Sequence, residues 1–407
     1  MTVSGVPVRR IDLGAVGRPR TIGIAGVVLD VLTILVALPP LEARSIYTPI
    51  AIGFLGLFCG VWAIARGETR LGWIVAVGAF LAIPIGAMAT FSGLGNLETV
   101  FAWSALTAAT LRFATPLVFA AIGGLFSERS GVINIGLEGM MLTGAFFGIW
   151  GADKTGSWEA GIAIAMLAGG AMALLHAFFA ISLRADQVVG GVAINFLAVG
   201  ITGFLFIDIY GSTGTPSDIP GIPDVHLPFL GHIPLIGNFL EGAFGQMNLM
   251  IWLALALVVL SSLFVFRTPA GLRLRSVGEH PRAADTVGIS VYRTRYVAVT
   301  FSGMLAALGG AYLSIGFVHS FNQGMSAGRG FIALAALIFG KWNPYGALGA
   351  ACLFGFSSAI AQRLQIYSPS AGTLFQALPY VLTLIAVAGV VGRSIGPAAV
   401  GRPYIKQ

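Results

Sequence analysis

Long apolar runs separated by short polar breaks fill almost the whole chain. Each run is about 20 residues long, the length a helix needs to cross a bilayer. The pattern therefore predicts an all-α polytopic membrane protein with about 12 transmembrane helices, some of them broken or short. The predicted spans are 21–41, 46–65, 71–91, 101–126, a fifth ending near 150, 160–183, 188–209, 249–266, 296–317, a short segment within 328–346, 347–361 and 374–391.

Composition agrees with this pattern. The 407 residues are 57% hydrophobic and only 10% charged, whereas a soluble domain carries about 25% charged residues. The net charge of +7 does not indicate a nucleic-acid partner, because no basic and aromatic patch lies outside the spans. Cys59 and Cys352 both lie in apolar runs, which argues against a disulfide framework and against a metal site.

The distribution of arginines predicts the orientation. Residues 185–266 contain no lysine or arginine and include the longest loop, 210–246, which is rich in proline and glycine. The following segment, 267–295, is here called the arginine-rich loop. Its arginines are Arg267, Arg273, Arg275, Arg282, Arg293 and Arg295. Since short basic loops stay in the cytoplasm, this loop is expected inside, loop 210–246 outside and both termini inside.

One apolar stretch, residues 127–148, carries polar groups that are costly in a bilayer: Glu128, Arg129, Asn134 and Glu138. It also contains several glycines, so it reads as a broken span that faces protein or a watery path. The spacing of Asn134 and Glu138 predicts that they share one helix face. The predicted substrate pathway comprises Ser130, Gly131, Asn134, Glu138, Asn195 and Phe196, which would suit a hydroxyl-rich ligand. In the alternative interpretation, Asn134 and Glu138 bond freed backbone or a neighbouring helix.

The arginine-rich loop contains signals for a short helix. Pro281 suits the first helical position, Ala283 and Ala284 would form a small-residue face, and Gly288 would end the helix. Such a capped helix is a suitable docking element for a soluble partner, although a plain solvated turn fits the composition too. The predicted coupling residues are Gly278, Glu279, Pro281, Ala283, Ala284 and Gly288.

Motifs for catalysis are missing from the sequence. A phosphate-binding loop ends in Gly-Lys-Ser/Thr, but Gly340-Lys341 is followed by Trp342. The histidines are scattered, and His176 is expected to pack within the bundle. We therefore expect a chain that is no enzyme, with no catalytic residues, metal ligands or cofactor of its own, so that any ATP chemistry belongs to another subunit.

Three motifs in order resemble those of one family. They are GLFSERSGVINIGLEGMM (124–141), GEHPRAA (278–284) with Gly288-Ile289, and GFIALAALIFGKWNP (330–344). They closely resemble the permease subunits of nucleoside and simple-sugar ABC importers, in the branched-chain amino acid/ribose permease superfamily. The resemblance covers about residues 101–391 and is closest to the shorter of two paired permeases.

The resemblance implies that the chain moves nucleosides across a bacterial cytoplasmic membrane as a multi-pass protein. It implies docking of the arginine-rich loop on a fused double ATPase that binds ATP and magnesium. It further implies a second homologous permease, forming a heterodimer, and an extracytoplasmic substrate-binding lipoprotein. The expected division is a cytoplasmic tail (1–20), an accessory three-helix module (21–98), a permease core (99–392) and a second cytoplasmic tail (393–407).

Other functions remain open on the sequence. Ribose or another simple sugar could replace the nucleoside as substrate. An ion-coupled secondary transporter could use Glu138 as a proton site, and ATP depletion would distinguish it from an ATP-driven importer. An intramembrane enzyme is a third class, for which no catalytic pair is apparent.

Overall fold

A computed structural model describes residues 19–37, 45, 47–92, 103–234, 237–367, 380 and 396–406. The chain forms two compact units, Met1–Ala102 and Trp103–Gln407, which are described separately below. The assignment of an accessory module, a permease core and two cytoplasmic tails stays a prediction.

The described part of the first unit forms three helices, α1 (Pro19–Leu35), α2 (Tyr47–Ala65) and α3 (Thr69–Ser92), each packed on the other two. Glycines allow their backbones to approach closely, as small residues do between membrane helices. A Cβ atom at Gly60, for example, would lie 2.9 Å from the carbonyl oxygen of Gly72. The buried Asp30 lies at the centre of the unit, with its carboxylate against Gly56 and Gly78.

The second unit is a helical bundle with one small sheet. Its helices are α4 (Trp103–Arg129), α5 (Leu137–Thr155), α6 (Trp158–Ala177) continued by a π-helical turn (Phe178–Ser182), α7 (Gln187–Tyr210), α8 (Gly237–Phe244), α9 (Leu249–Arg267), α10 (Pro269–Glu279), α11 (Pro281–Thr286), α12 (Val291–Ala311) continued by a π-helical segment (Tyr312–Val318), α13 (Arg329–Phe339) and α14 (Pro344–Tyr367). Strands β1 (Asp224–His226) and β2 (Gln246–Asn248) pair antiparallel, and a 3₁₀ helix (Pro228–His232) lies between them.

Eight helices within the described residues are long and apolar enough to cross a membrane. They are Tyr47–Ala65, Thr69–Ala87, Trp103–Arg129, Trp158–Ser182, Gln187–Tyr210, Leu249–Arg267, Val291–Val318 and Pro344–Arg363. The protein is therefore a multi-pass membrane protein, and its described residues are all-α apart from the β1–β2 pair. The tenth segment is confirmed as short, because α13 has only 11 residues. The predicted twelfth span, 374–391, lies outside the described residues except for Tyr380.

Helix α5 occupies the centre of the second unit, in contact with α6, α7, α12 and α13. Its sequence includes Glu138, Asp153 and Lys154, and it is not among the eight apolar spans. Glycines bring backbones together here as well, because Gly144 packs against the backbone of Ala307 and Gly310 against the carbonyl of Met141. Most of α5 is consequently buried within protein.

Two sequence predictions about element boundaries need correction. Segment 210–246, predicted as a loop, contains β1, the 3₁₀ helix and α8. Asn248 stabilises the end of this segment. Its Nδ2 donates to the Ile222 carbonyl at 2.9 Å, and its Oδ1 accepts from the Met250 amide and so caps α9. The fifth helix runs beyond residue 150 to Thr155, where Gly156 ends it in a left-handed conformation with φ of 68°.

Candidate functional site

The link between α4 and α5, residues 130–136, is here called the interrupted segment. It begins with a turn in which the Gly131 amide donates to the Glu128 carbonyl at 2.9 Å, and Gly131 has a φ of 94°. Only at Leu137 does helix α5 begin. The prediction that Asn134 and Glu138 share a helix face is therefore wrong, since Asn134 precedes the helix.

Side chains from neighbouring helices satisfy the backbone of the interrupted segment. The Ile133 amide donates to Oε1 of Gln187 at 2.8 Å, and Nε2 of His176 lies 3.0 Å from the Ile133 carbonyl oxygen. Both side chains are buried. Because an unpaired backbone group is costly in a bilayer, these two residues stabilise the non-helical path. His176 packs in the bundle, as its sequence context predicted.

Asn195 on α7 holds the start of α5 in the same way. Its Oδ1 accepts from the Gly139 amide at 2.8 Å, and its Nδ2 donates to the Ile135 carbonyl at 3.1 Å. One amide therefore satisfies an acceptor of the interrupted segment and a donor of the first helical turn. The adjacent Phe196 differs, because its side chain is 74% exposed on α7.

Asn134 lies deep in the bundle and is fully buried. Its Nδ2 donates to Oγ of Ser302 at 3.0 Å and lies 3.4 Å from the sulfur of Met140. Its Oδ1 accepts no hydrogen bond from the described residues. Ser302 is about three turns from the start of α12, so the interrupted segment reaches well into the bundle.

Glu138 connects α5 to the start of α13. Its two carboxylate oxygens accept from the amides of Gly328 at 2.8 Å and Gly330 at 2.6 Å. The first amides of a helix have no partner within it and carry partial positive charge, so a carboxylate stabilises them. At Gly330 a Cβ atom would overlap the backbone of Glu138, which explains the glycine. Glu138 thus caps a helix that is not its own.

The first and third sequence motifs meet at the other end of α13. Nε1 of Trp342 donates to Oε2 of the buried Glu128 at 2.6 Å. Nη2 of Arg129 donates to the Trp342 carbonyl at 2.8 Å. Polar groups at both ends of α13 are therefore satisfied by residues that flank the interrupted segment.

The predicted short helix of the arginine-rich loop is present as α11. Pro281 occupies its first position, and Nδ1 of His280 accepts from the Ala283 amide at 3.3 Å. At its end, Gly288 has a φ of 84° and donates to the Asp285 carbonyl at 2.9 Å, while the next amide, of Ile289, donates to the Ala284 carbonyl at 3.0 Å. This pair of bonds is the Schellman ending.

The two alanines of α11 face different ways. Ala283 is exposed, whereas Ala284 is 3% exposed and packs with Val277, Val291 and Tyr404. Burial, together with a hydrogen bond to Asp285, raises the pKa of Tyr404. The predicted small-residue face thus has one exposed alanine and one buried alanine, and the buried one packs α11 on the bundle.

The remaining predicted coupling residues lie at the end of α10. Gly278 is buried, and a Cβ atom there would overlap the carbonyl oxygen of Arg129. Glu279 is exposed, and its Oε2 accepts from the Ala398 amide at 3.2 Å. Of the predicted coupling residues, Gly278 therefore lies directly against the end of α4 and the start of the interrupted segment.

A groove of about 1440 Å³ lies beside the coupling residues. Side chains of α9, α10 and α12 line it, and most are apolar, with Arg273 and Arg293 among the polar ones. None of the predicted substrate-pathway residues lines this groove, while Gly288 does. This groove therefore lies beside the arginine-rich loop and away from the predicted substrate pathway.

The sequence prediction that includes Arg295 in the arginine-rich loop and begins the next span at residue 296 is wrong about this boundary, because α12 already begins at Val291. Arg295 is 1% exposed within α12, and its Nε donates to the Ser130 carbonyl at 3.1 Å. The sequence carried a signal that Arg295 is buried, because Val291 and Val299 lie four residues before and after it and mark a buried helix face. Gln187 and Ser302 were missed as well, and neither carries a recognisable motif.

Comparison with known families and proteins gives a consistent result. Residues 106–387 match the family described as branched-chain amino acid transport system / permease component. The guanosine ABC transporter permease protein NupQ of Bacillus subtilis is 45% identical over 76% of this chain and 99% of its own length. The chain belongs to this permease family. The family match starts after α3, so the first unit lies outside it.

Further relatives indicate the substrates found within the family. The nucleoside ABC transporter permease protein NupC of Lactococcus lactis is 39% identical over 74% of this chain and 97% of its own length. The "Putative glucose ABC transporter permease protein TsgC13" of Haloferax volcanii is 39% identical over 64% of this chain and 78% of its own length. A second guanosine permease of Bacillus subtilis, NupP, is 26% identical over 60% of this chain. No solved structure matches the chain.

Proposed function

We propose that this chain is the permease subunit of an ATP-binding cassette importer that translocates nucleosides. The observation that carries the proposal is the 45% identity to a guanosine permease along 99% of that protein's length. The sugar alternative has a weaker basis, since the glucose-named relative aligns over 78% of its length. We further propose that the chain has no catalytic site or cofactor, and that ATP and magnesium bind on a partner ATPase.

The proposed topology is based on the distribution of arginines among the loops. The arginine-rich loop, with α10 and α11, lies in the cytoplasm of a bacterial cell, and the β1–β2 segment lies outside. About 12 crossings and two cytoplasmic termini complete this arrangement. The eight described apolar spans and the half-length helix α13 support it.

The ATPase docks on α10 and α11 in this proposal. The exposed residues Glu279 and Ala283 offer contacts, while Gly288 and the buried Ala284 fix the shape of α11. Because α11 is capped at both ends, it keeps its conformation without a partner.

Two further partners complete the importer. Bacillus subtilis has two guanosine ABC permease proteins, both similar to this chain, which supports a second homologous permease as heterodimer partner. An extracytoplasmic substrate-binding lipoprotein delivers the nucleoside to the outer segments, including 210–246. No nucleic acid takes part.

The substrate pathway runs along the interrupted segment. In this assignment the buried residues Ser130, Gly131 and Asn134 form the wall of the pathway. The half-buried Glu138 and Asn195 lie at its edge. The exposed Phe196 extends the border on α7. The hydrogen bonds of Glu138 and Asn195 to helix ends support a positioning role for these two side chains.

Uptake of labelled guanosine, adenosine and ribose tests the proposal, in cells with and without this chain, before and after ATP depletion. We expect ATP-dependent nucleoside uptake to be lost without the chain, while ribose uptake is unchanged. Loss of ribose uptake alone would refute the nucleoside assignment. Uptake that survives ATP depletion but stops with an uncoupler would refute the ATP-driven mechanism.

The docking assignment has its own test. Ala283→Trp places a bulky side chain on the exposed face of α11, so it should block assembly with the ATPase and abolish uptake. Ala283→Ser is the matched control, because it changes the side chain by one atom and should leave uptake within about twofold. Normal uptake in Ala283→Trp would show that the ATPase does not dock on this face.

A further inference from the structure

The C-terminal segment, residues 396–406, joins two parts of the second unit through its backbone. The Ala399 amide donates to the Gly278 carbonyl of α10 at 2.9 Å. Two residues later, the Gly401 amide donates to the Gly131 carbonyl of the interrupted segment at 3.2 Å. The same short segment therefore holds both the end of α10 and the start of the interrupted segment.

Arg295 lies beneath this junction and contacts both sides of it. Its Nε donates to the Ser130 carbonyl and its Nη1 to the Arg402 carbonyl, each at 3.1 Å. A Cβ atom at Gly131 would lie 2.7 Å from its Nη2. The acceptors that the described residues provide are backbone carbonyls, so this guanidinium orients two chain segments and forms no ion pair with them.

The far end of the C-terminal segment packs against the coupling helices. Tyr404 lies in the apolar cluster that contains Ala284 of α11 and Val277 of α10. Its carbonyl accepts from the Tyr292 hydroxyl at 3.3 Å, and the two rings pack edge to face with centroids 5.6 Å apart. A continuous stretch of chain therefore joins the apolar cluster beside α11 to residues 399–402.

We propose that residues 396–406, held by Arg295, form a coupling strap that transmits movement of α10 and α11 to the interrupted segment. This inference rests on the proposed function, because it names how the ATPase-docking element reaches the transport segment. Gly278 already packs against the Arg129 carbonyl. The strap adds hydrogen bonds to both sides, and because these are directional they resist sliding as well as separation, so the end of α10 and the interrupted segment move together.

The decisive experiment compares two truncated chains in the complete reconstituted importer. The first ends at residue 395 and lacks the strap. The second ends at Tyr404 and lacks only the last three residues, of which Ile405 is 54% exposed. The measurements are assembly with the ATPase, ATP hydrolysis, and nucleoside uptake by the proteoliposomes.

We expect the chain ending at residue 395 to assemble and hydrolyse ATP, but to consume at least about tenfold more ATP per nucleoside transported. The chain ending at Tyr404 should match the full-length ratio within about twofold. An unchanged ratio in the shorter chain would overturn the strap. Loss of ATPase assembly in that chain would overturn it as well, because the segment would then belong to the docking surface.

Substitution of Arg295 gives an independent measurement. Arg295→Lys keeps the charge but loses the fork that reaches two carbonyls at once, so its ATP-to-nucleoside ratio should lie between those of the full-length and shorter chains. A ratio equal to wild type would contradict the role of Arg295. If the wild-type importer itself shows no ATP-dependent nucleoside uptake, the proposed function fails. If the wild-type importer transports nucleosides and the chain ending at residue 395 has the same ATP-to-nucleoside ratio, the strap alone is refuted.

Discussion

Replacing Glu138 with glutamine tests whether this residue caps α13. Glutamine has nearly the same volume, but only one of its two terminal groups accepts a hydrogen bond. One hydrogen bond therefore keeps an acceptor that is now neutral and weakens by about 1 kcal/mol. The second hydrogen bond is lost, which costs about 1–3 kcal/mol. The expected loss at the start of α13 is about 2–4 kcal/mol.

Hydrogen–deuterium exchange measures this loss at the two amides that Glu138 binds. Since about 1.4 kcal/mol corresponds to a factor of ten, exchange should become about fivefold faster at the glycine amide whose bond is weakened and about 5- to 140-fold faster at the one whose bond is lost. The Arg329 amide is an internal reference, because it donates to the Ser326 carbonyl at 2.9 Å. Glu159→Gln is the matched control variant, since it removes an exposed carboxylate near the start of another helix.

Exchange at both glycine amides within threefold of wild type would refute the capping role. Transport by the same variant separates positioning from substrate contact. A capping residue should lower guanosine and adenosine uptake by the same factor, because it acts through the shape of the bundle. A change in the ratio of the two uptakes would instead indicate direct contact between Glu138 and the nucleoside.

Three further substitutions test the framework around the site. Asn195→Ala leaves the Gly139 amide of α5 and the Ile135 carbonyl of the interrupted segment unpaired, so the free energy of unfolding should fall by about 2–4 kcal/mol; thermal unfolding in detergent measures it, and Asn195→Asp should show a smaller loss. Gly288→Ala forces a left-handed alanine at the end of α11, at about 1–2 kcal/mol, and limited proteolysis should cut the arginine-rich loop faster. Gly310→Ala drives a methyl group into the Met141 carbonyl and should lower the thermal midpoint strongly, whereas Gly349→Ala, in open space, should not. A Gly310→Ala midpoint equal to that of Gly349→Ala would contradict the close packing of α5 on α12.

Local features of the fold could be predicted because local chemistry decides them. Pro281 fixes its own φ and lacks an amide hydrogen, and Gly288 tolerates a left-handed backbone. These two residues determine where α11 begins and ends. The long apolar runs likewise predict most spans to within a few residues, since hydrophobic length follows bilayer thickness.

Features that depend on distant partners could not be predicted in this way. The shared face of Asn134 and Glu138 assumed a continuous helix, but Gln187 and His176 stabilise a non-helical backbone at residue 133. Arg295 was counted with the loop arginines because a charge rule does not distinguish a buried guanidinium from a solvated one. The groups that decide the backbone at residue 133 lie far away in the sequence, whereas for Arg295 the nearby Val291 and Val299 were a local signal that the charge rule ignored.

The position of α5 has a consequence for how the protein is made. A nascent helix enters the bilayer by itself only if lipid suits its surface, and α5 carries Glu138, Asp153 and Lys154. The helices that cover it include α12, which the ribosome synthesises much later. We therefore expect α5 to be retained near the insertion machinery until α12 emerges. Early termination before α12 should consequently leave a fragment that the membrane quality-control proteases remove.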